Sequence, residues 1–113
     1  MKLEQTYKTV RGEEATEILK NANGEPIVIT FSTEWTGSGQ MLDNFYKELT
    51  REYENAVYFL RVDVEKSEEY VKTLGITKVP TTLIFRDRDM VDSFEGLLPK
   101  DMIKEKIDKA LEK

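Results

Sequence analysis

The side chains most able to take part in a reaction lie in one short segment, Thr36-Gly37-Ser38-Gly39, directly before an amphipathic stretch. If a helix begins here, Thr36 stands at its N-terminus. A threonine hydroxyl acts as a nucleophile when a neighbouring base removes its proton. The chain contains no histidine to serve as that base, and a helix dipole alone does not activate a hydroxyl. We therefore predict that Thr36 caps the helix, and we predict no catalytic residue.

The same segment raises the question of anion binding, because backbone amides at a helix N-terminus are unpaired and attract negative charge. The segment is shorter than a phosphate-binding loop and lacks the lysine of that motif. Two glycines also suit a tight turn between a strand and a helix. The sequence favours the turn.

Composition excludes several classes of function. The chain has no cysteine and no histidine, which removes disulfides, thiolate nucleophiles and the usual zinc ligands. We expect no metal and no other cofactor. The formal net charge is −5, with 22 acidic against 17 basic residues. Because phosphate backbones repel a net negative surface, nucleic acid is not an expected partner.

Chain length and hydropathy indicate one globular domain over residues 1–113, since this length supports a single hydrophobic core. The apolar runs are short, whereas a helix needs roughly twenty apolar residues to cross a bilayer. The N-terminus is charged where a signal peptide is apolar. For the chain as given, we expect a cytoplasmic protein without a membrane partner.

The apolar periodicity predicts the order β-α-β-α-β-α-β-β-α. Residues 27–31 form an uncharged, β-branched run that is typical of a central strand covered on both faces. Residues 38–53 predict a long amphipathic helix. Its expected inward face is Met41, Leu42, Phe45, Tyr46, Leu49 and Tyr53. The other expected elements are a strand at 7–10, a helix before residue 21, a strand at 57–64, a helix at 67–74, and strands at 81–85 and 90–94.

The C-terminal part of the chain predicts a hairpin and a final helix. Residues 86–89, Arg-Asp-Arg-Asp, are expected to form a longer charged loop between two strands. Pro99 is expected in the first turn of the last helix, where a proline is tolerated. The expected inward face of that helix is Met102, Ile103, Ile107 and Leu111.

This order resembles the thioredoxin fold. Four segments also resemble segments of the thioredoxin-like family, and they have the family's spacing. They are residues 31–37, which contain Trp35; residues 62–64, Val-Asp-Val; residues 75–81, which place Pro80 where the family has a cis-proline; and residues 94–96, Phe-Glu-Gly. The chain is identified as a cysteine-less, divergent member of that family. The resemblance implies an α/β fold with a central mixed four- to five-stranded sheet flanked by helices.

The departures from the family are concentrated at its redox site. The family carries Trp-Cys-Gly-Pro-Cys-Lys, whereas Thr36 and Gly39 stand at the two cysteine positions here. Thr30 stands where typical thioredoxins have a buried aspartate. The resemblance therefore implies a degenerate redox site at Thr30, Thr36 and Gly39, and we expect a redox-inactive protein that is not an enzyme.

The family's peptide groove does not depend on cysteine. In the family, the backbone of the residue before the cis-proline, Val79 here, pairs with an extended polypeptide. The resemblance implies a peptide-binding groove lined by Trp35, Thr36, Gly37, Val79, Pro80, Gly96 and Leu97. The leading hypothesis is a non-catalytic domain that binds a partner protein or peptide in this groove. The alternatives are groove residues kept as scaffold alone, an oxidoreductase of redox homeostasis with a degenerate site, and a structural subunit of a larger assembly.

Overall fold

The computed structural model describes residues 7–33 and 37–112. These ranges contain five strands, four helices and two short 3-10 turns at Glu54–Ala56 and Val64–Lys66. The elements are β1 (Lys8–Val10), α1 (Gly12–Lys20), β2 (Ile27–Ser32), α2 (Gly37–Tyr53), β3 (Tyr58–Asp63), α3 (Glu68–Thr73), β4 (Thr81–Arg86), β5 (Asp89–Glu95) and α4 (Lys100–Leu111). Within the described part of the chain, no helix is long and apolar enough to cross a membrane.

The five strands form one mixed sheet in the order β1-β3-β2-β4-β5. Strands β1 and β2 both run parallel to β3, whereas β4 pairs antiparallel with β2 and with β5. Strand β2 therefore lies at the centre of the sheet. The architecture confirms the predicted α/β thioredoxin fold and its five-stranded mixed sheet.

Strand β2 separates two hydrophobic cores, and all six of its residues are buried. Val28 faces the core formed with α2 and α4, where Leu42, Tyr46 and Ile107 pack. Ile29 and its neighbours on the opposite face join the core below α1 and α3. Because successive strand residues point to opposite faces, an uncharged run was needed here, as the sequence predicted.

Two predicted core positions are wrong. Met41 on α2 and Met102 on α4 were expected to face inward, but they are 50% and 47% exposed. The buried face of α2 follows Leu42, Tyr46 and Leu49. Each helix residue turns about 100° from the one before, so a methionine directly before the buried Leu42 is carried to the edge of the buried face. The same step separates Met102 from Ile103.

The hairpin between β4 and β5 is tighter than expected. The predicted charged loop at residues 86–89 is wrong, since Arg86 ends β4 and Asp89 begins β5. Only Asp87 and Arg88 form the turn, with φ angles of 52° and 72°. Two consecutive positive φ angles are typical of the type I′ turn, whose twist matches that of paired strands. Pro99 also differs slightly, because it lies at the N-cap, one residue before α4.

Helix α1 lies against the segment that begins α3, and Gly12 is the point of close approach. The Gly12 amide donates a hydrogen bond to Ser67 Oγ at 3.1 Å. A Cβ atom at Gly12 would lie 2.6 Å from Cβ and Cγ of Tyr70. Real Cβ contacts are not this short, so one of the two helices must move.

We predict that Gly12→Ala lowers the free energy of unfolding by about 2 kcal/mol, because overpacking outweighs the gain in helix propensity. Urea unfolding followed by circular dichroism measures the change. Gly37→Ala is the matched control, since a Cβ atom there meets no atom within 4 Å. Equal stability of the two variants would contradict the assigned contact between Gly12 and Tyr70.

Candidate functional site

Three chain segments meet at one end of the sheet. Phe31, near the end of β2, pairs with Thr81, the first residue of β4. Thr81 also pairs with Glu95, the last residue of β5. The residues that precede β4 and those that follow β5 therefore share this end of the sheet with the end of β2. They include Val79, Pro80, Gly96 and Leu97 of the predicted groove.

The loop before β4 has a defined shape. The Val79–Pro80 peptide bond is cis, and Pro80 is buried. Two hydrogen bonds hold the loop: the Gly96 amide donates to the Pro80 carbonyl at 2.8 Å, and the Thr81 hydroxyl donates to the Lys78 carbonyl at 2.7 Å. Gly96 has a φ of 76°, which favours glycine. The loop is thus attached to both β4 and the end of β5.

Val79 is exposed, like Thr77 and Lys78 before it, with 37% of its surface accessible. Its main-chain N–H and C=O make no hydrogen bond to any other residue in the described ranges. Main-chain groups without partners resemble those of a sheet edge, where another strand can pair. Leu97, directly after Gly96, is 38% exposed.

A shallow apolar depression adjoins Val79. It has a volume of about 430 Å³ and a floor of Val64, Val71, Ile76 and Val79. Its other lining residues are Glu68, Glu69, Lys72 and Thr77. The depression therefore combines an apolar floor with a charged rim along α3.

The predicted groove residues are only partly placed together. The structure brings Val79, Pro80 and Gly96 into one loop cluster, followed by Leu97. Gly37 is the exposed first residue of α2, and Gly39 is buried in its first turn. Trp35 and Thr36 lie outside the described residues. The helix cap at Thr36 and the place of Trp35 in the groove therefore stay predictions.

A sequence profile of the family Thioredoxin matches residues 6–109. The chain belongs to the thioredoxin family. Its relatives include a thioredoxin of Chlorobaculum thiosulfatiphilum, 32% identical over 93 residues that cover 82% of this chain and 84% of the relative. Thioredoxin Y2, chloroplastic, of Arabidopsis thaliana is 26% identical over 96 residues, which cover 85% of this chain and 57% of the relative. The chain thus spans little more than half of that chloroplast protein.

Solved thioredoxin structures have the same architecture. The short form of thioredoxin f from spinach chloroplast superposes with a TM-score of 0.88 at 28% sequence identity, covering 97% of this chain and 98% of that one. This thioredoxin-family chain therefore keeps the full fold although it contains no cysteine.

Behind the first turns of α2, this thioredoxin-family domain has a buried polar layer. Thr30 on β2 is fully buried and pairs across the sheet with Thr82. The Thr82 hydroxyl shares a 2.8 Å hydrogen bond with the hydroxyl of Tyr46. Thr30 Oγ1 lies near the hydroxyls of Tyr7 and Tyr46 but makes no hydrogen bond of normal geometry. An unpaired buried hydroxyl destabilises the folded state by about 1–3 kcal/mol.

Sequence reasoning missed the acidic member of this layer, Asp43. Tyr7 donates a 2.5 Å hydrogen bond to Asp43 Oδ1, and Arg61 Nε lies 3.6 Å from Asp43 Oδ2. The carboxylate is thus held by Tyr7, the residue before β1, and by Arg61 of β3. Its only signal in the sequence is its place three residues before Tyr46, on the buried side of α2.

The tyrosines of this layer do not act as bases near neutral pH. Burial and the Asp43 carboxylate raise the pKa of Tyr7 well above its usual range. Burial raises the pKa of Tyr46 to about 12, although its hydrogen bond to Thr82 works in the opposite direction. Both phenols therefore remain protonated near neutral pH, and Tyr7 donates its hydrogen bond to Asp43. Across residues 7–33 and 37–112, no three side chains of His, Cys, Asp or Glu form a group that could hold a metal ion.

Proposed function

We propose that this chain is a non-catalytic thioredoxin-family domain that binds an extended polypeptide of a partner protein beside Pro80. The observation that carries the proposal is the Val79 main chain, whose N–H and C=O have no hydrogen-bond partner in the described ranges. An extended peptide can pair with such groups as an added strand. The apolar depression next to Val79 would then take one of its side chains.

The missing cysteines support the non-catalytic part of the proposal. Exchange of dithiol for disulfide needs a thiolate nucleophile, and this chain contains no sulfur nucleophile. The buried Thr30 hydroxyl also cannot take up a proton as a carboxylate does. We predict that the protein reduces insulin disulfides no faster than the dithiothreitol blank. A turbidity rate above that blank, with protein free of contaminating thioredoxin, would contradict the proposal.

The competing function is thiol–disulfide oxidoreductase activity, which is favoured by relatives named thioredoxin. This chain supplies no cysteine for that activity, and an insulin reduction rate above the dithiothreitol blank would favour it over binding alone. Cytoplasmic localisation stays a prediction, and relatives named as chloroplastic make plastids a second possibility to test.

Selection from a random peptide library tests binding through the Val79 loop. Immobilised wild-type protein should enrich peptides that bind Val79→Asp about tenfold more weakly, because a charge then replaces an apolar contact. Val91→Asp is the matched control. Val91 is 48% exposed and lies in β5 near the hairpin turn, at the far end of the sheet.

Peptides that bind the Val91 variant like the wild type, but lose affinity for the Val79 variant, support the proposed site. Peptides that bind the Val79 variant with unchanged affinity would place the binding surface elsewhere. Failure to enrich any peptide from the library would contradict peptide binding itself.

A further inference from the structure

The charged rim of the depression beside Val79 is predominantly acidic. Glu68 and Glu69 line it together with Lys72. The same two glutamates also line a second cavity of about 560 Å³ on the other side of the first turn of α3. That cavity adds Glu13, Glu65 and Lys66 to the charged residues. The apolar floor beside Val79 is therefore continuous with a surface that carries four carboxylates.

Three of these carboxylates make no ion pair with the described residues, although Lys66 and Lys72 line the same two cavities. Glu65, Glu68 and Glu69 are exposed, and none of them lies within 4.0 Å of a cationic group among residues 7–33 and 37–112. By contrast, Glu95 pairs with Lys78 across the loop at 3.9 Å, and Glu48 and Glu52 pair with Lys100. The acidic rim on α3 thus differs from the ion-paired acidic residues elsewhere on the molecule.

Part of this acidity has an explanation within the helix. Glu68 and Glu69 occupy the first turn of α3, where negative charge stabilises a helix through its dipole. That role does not account for Glu13 on α1 or Glu65 in the preceding turn, which face the same cavity. Helix stability is measured by urea unfolding and binding by peptide affinity, so the two roles can be separated in the same variants.

We propose that the partner polypeptide is basic: an extended segment whose apolar side chain enters the depression beside Val79 and whose lysines or arginines contact Glu68 and Glu69. This inference rests on the proposed function and adds the chemistry of the partner. Side chains on one face of an extended strand are two residues apart. The basic residue therefore lies two positions from the apolar anchor.

Fluorescence anisotropy with three labelled decapeptides tests the inference. Each peptide has a central leucine in a serine and threonine background, with lysine, serine or glutamate two positions away on both sides. At low ionic strength, the lysine peptide should bind about tenfold more tightly than the glutamate peptide, since two exposed charge contacts change sign. The serine peptide should bind with intermediate affinity. The difference should shrink in 0.5 M salt, as about 4 Å of Debye screening length leaves little interaction between exposed charges.

The double variant Glu68→Gln/Glu69→Gln should reduce the preference for lysine to about threefold or less, while it binds the serine peptide like the wild type. Asp101→Asn/Glu105→Gln is the matched control. It removes the same charge from exposed positions on α4, including one in the first helical turn. This control should keep the tenfold preference. Urea unfolding of both double variants reports any loss of helix stability separately.

The outcomes distinguish the two proposals. If the three peptides bind the wild type with equal affinity, or if the α3 variant keeps the full preference, the inference of a basic partner is wrong while peptide binding stands. If the control on α4 loses the preference equally, net charge and not the rim selects the peptide, and the inference is again wrong. If none of the three peptides binds, the proposed function fails together with the inference.

Discussion

The double variant Thr36→Cys/Gly39→Cys should form an internal disulfide and reduce insulin at least about tenfold faster than the dithiothreitol blank. The two positions have the family's spacing, and Gly39 lies in the first turn of α2. A thiol at a helix N-terminus has a pKa below the reference value of about 8.5. The introduced thiolate can therefore attack a partner disulfide at neutral pH.

Turnover by this double variant should still be slower than that of an ordinary thioredoxin, because the hydroxyl of Thr30 replaces the family's buried carboxylate. The single variant Gly39→Cys is the control, since one cysteine cannot close an internal disulfide. Thiol titration after exposure to oxidised glutathione reports closure. If both introduced thiols remain free, positions 36 and 39 do not correspond to the family's redox pair.

Thr30→Asp should destabilise the protein by about 3–5 kcal/mol at pH 7.5, because it buries a carboxylate whose cross-strand neighbour Arg61 is already paired with Asp43. Thr30 is fully buried, and its surroundings include the phenols of Tyr7 and Tyr46. Burial raises the pKa of the introduced carboxyl above its unfolded value of about 3.9. The folded state then holds the proton more tightly than the unfolded state. The free energy of unfolding therefore falls as pH rises from the unfolded pKa towards the higher folded pKa.

Urea unfolding of Thr30→Asp at pH 4 and at pH 7.5 measures this dependence against the wild type. Thr30→Val is the control. It preserves shape and removes an unpaired hydroxyl, so it should be at least as stable as the wild type, with a gain of up to about 3 kcal/mol, at both pH values. If Thr30→Asp loses the same free energy of unfolding at both pH values, the introduced carboxyl is solvated or paired. The description of a buried polar layer around Thr30 is then wrong.

The fold was predictable because its signals are local. The uncharged run at residues 27–31 and the glycine after α3 indicate a central strand and a helix end without knowledge of the tertiary structure. Residues 75–81 resemble the family's loop strongly enough to locate the proline. The exact boundaries of a helix face are less predictable, since the half-exposed Met41 is directly next to the buried Leu42.

The buried polar layer was not predictable, because its contacts join distant parts of the chain. Tyr7 and Asp43 are 36 positions apart, and neither has a local pattern that distinguishes it from a solvated residue. The hairpin was misjudged for a related reason. Asp87 and Arg88 adopt positive φ angles without the Asn-Gly sequence that usually indicates this turn.

The most direct test of the central claim is a measurement on the Val79 amide itself. In ¹⁵N–¹H NMR spectra, titration with a peptide selected on the wild-type protein should shift the Val79 amide and slow its hydrogen exchange. Strand pairing predicts that result, because the peptide carbonyl accepts a hydrogen bond from an N–H that has no partner in the described ranges. Saturating peptide that leaves the shift and exchange of Val79 unchanged, while amides of α4 or β5 respond, would contradict the account.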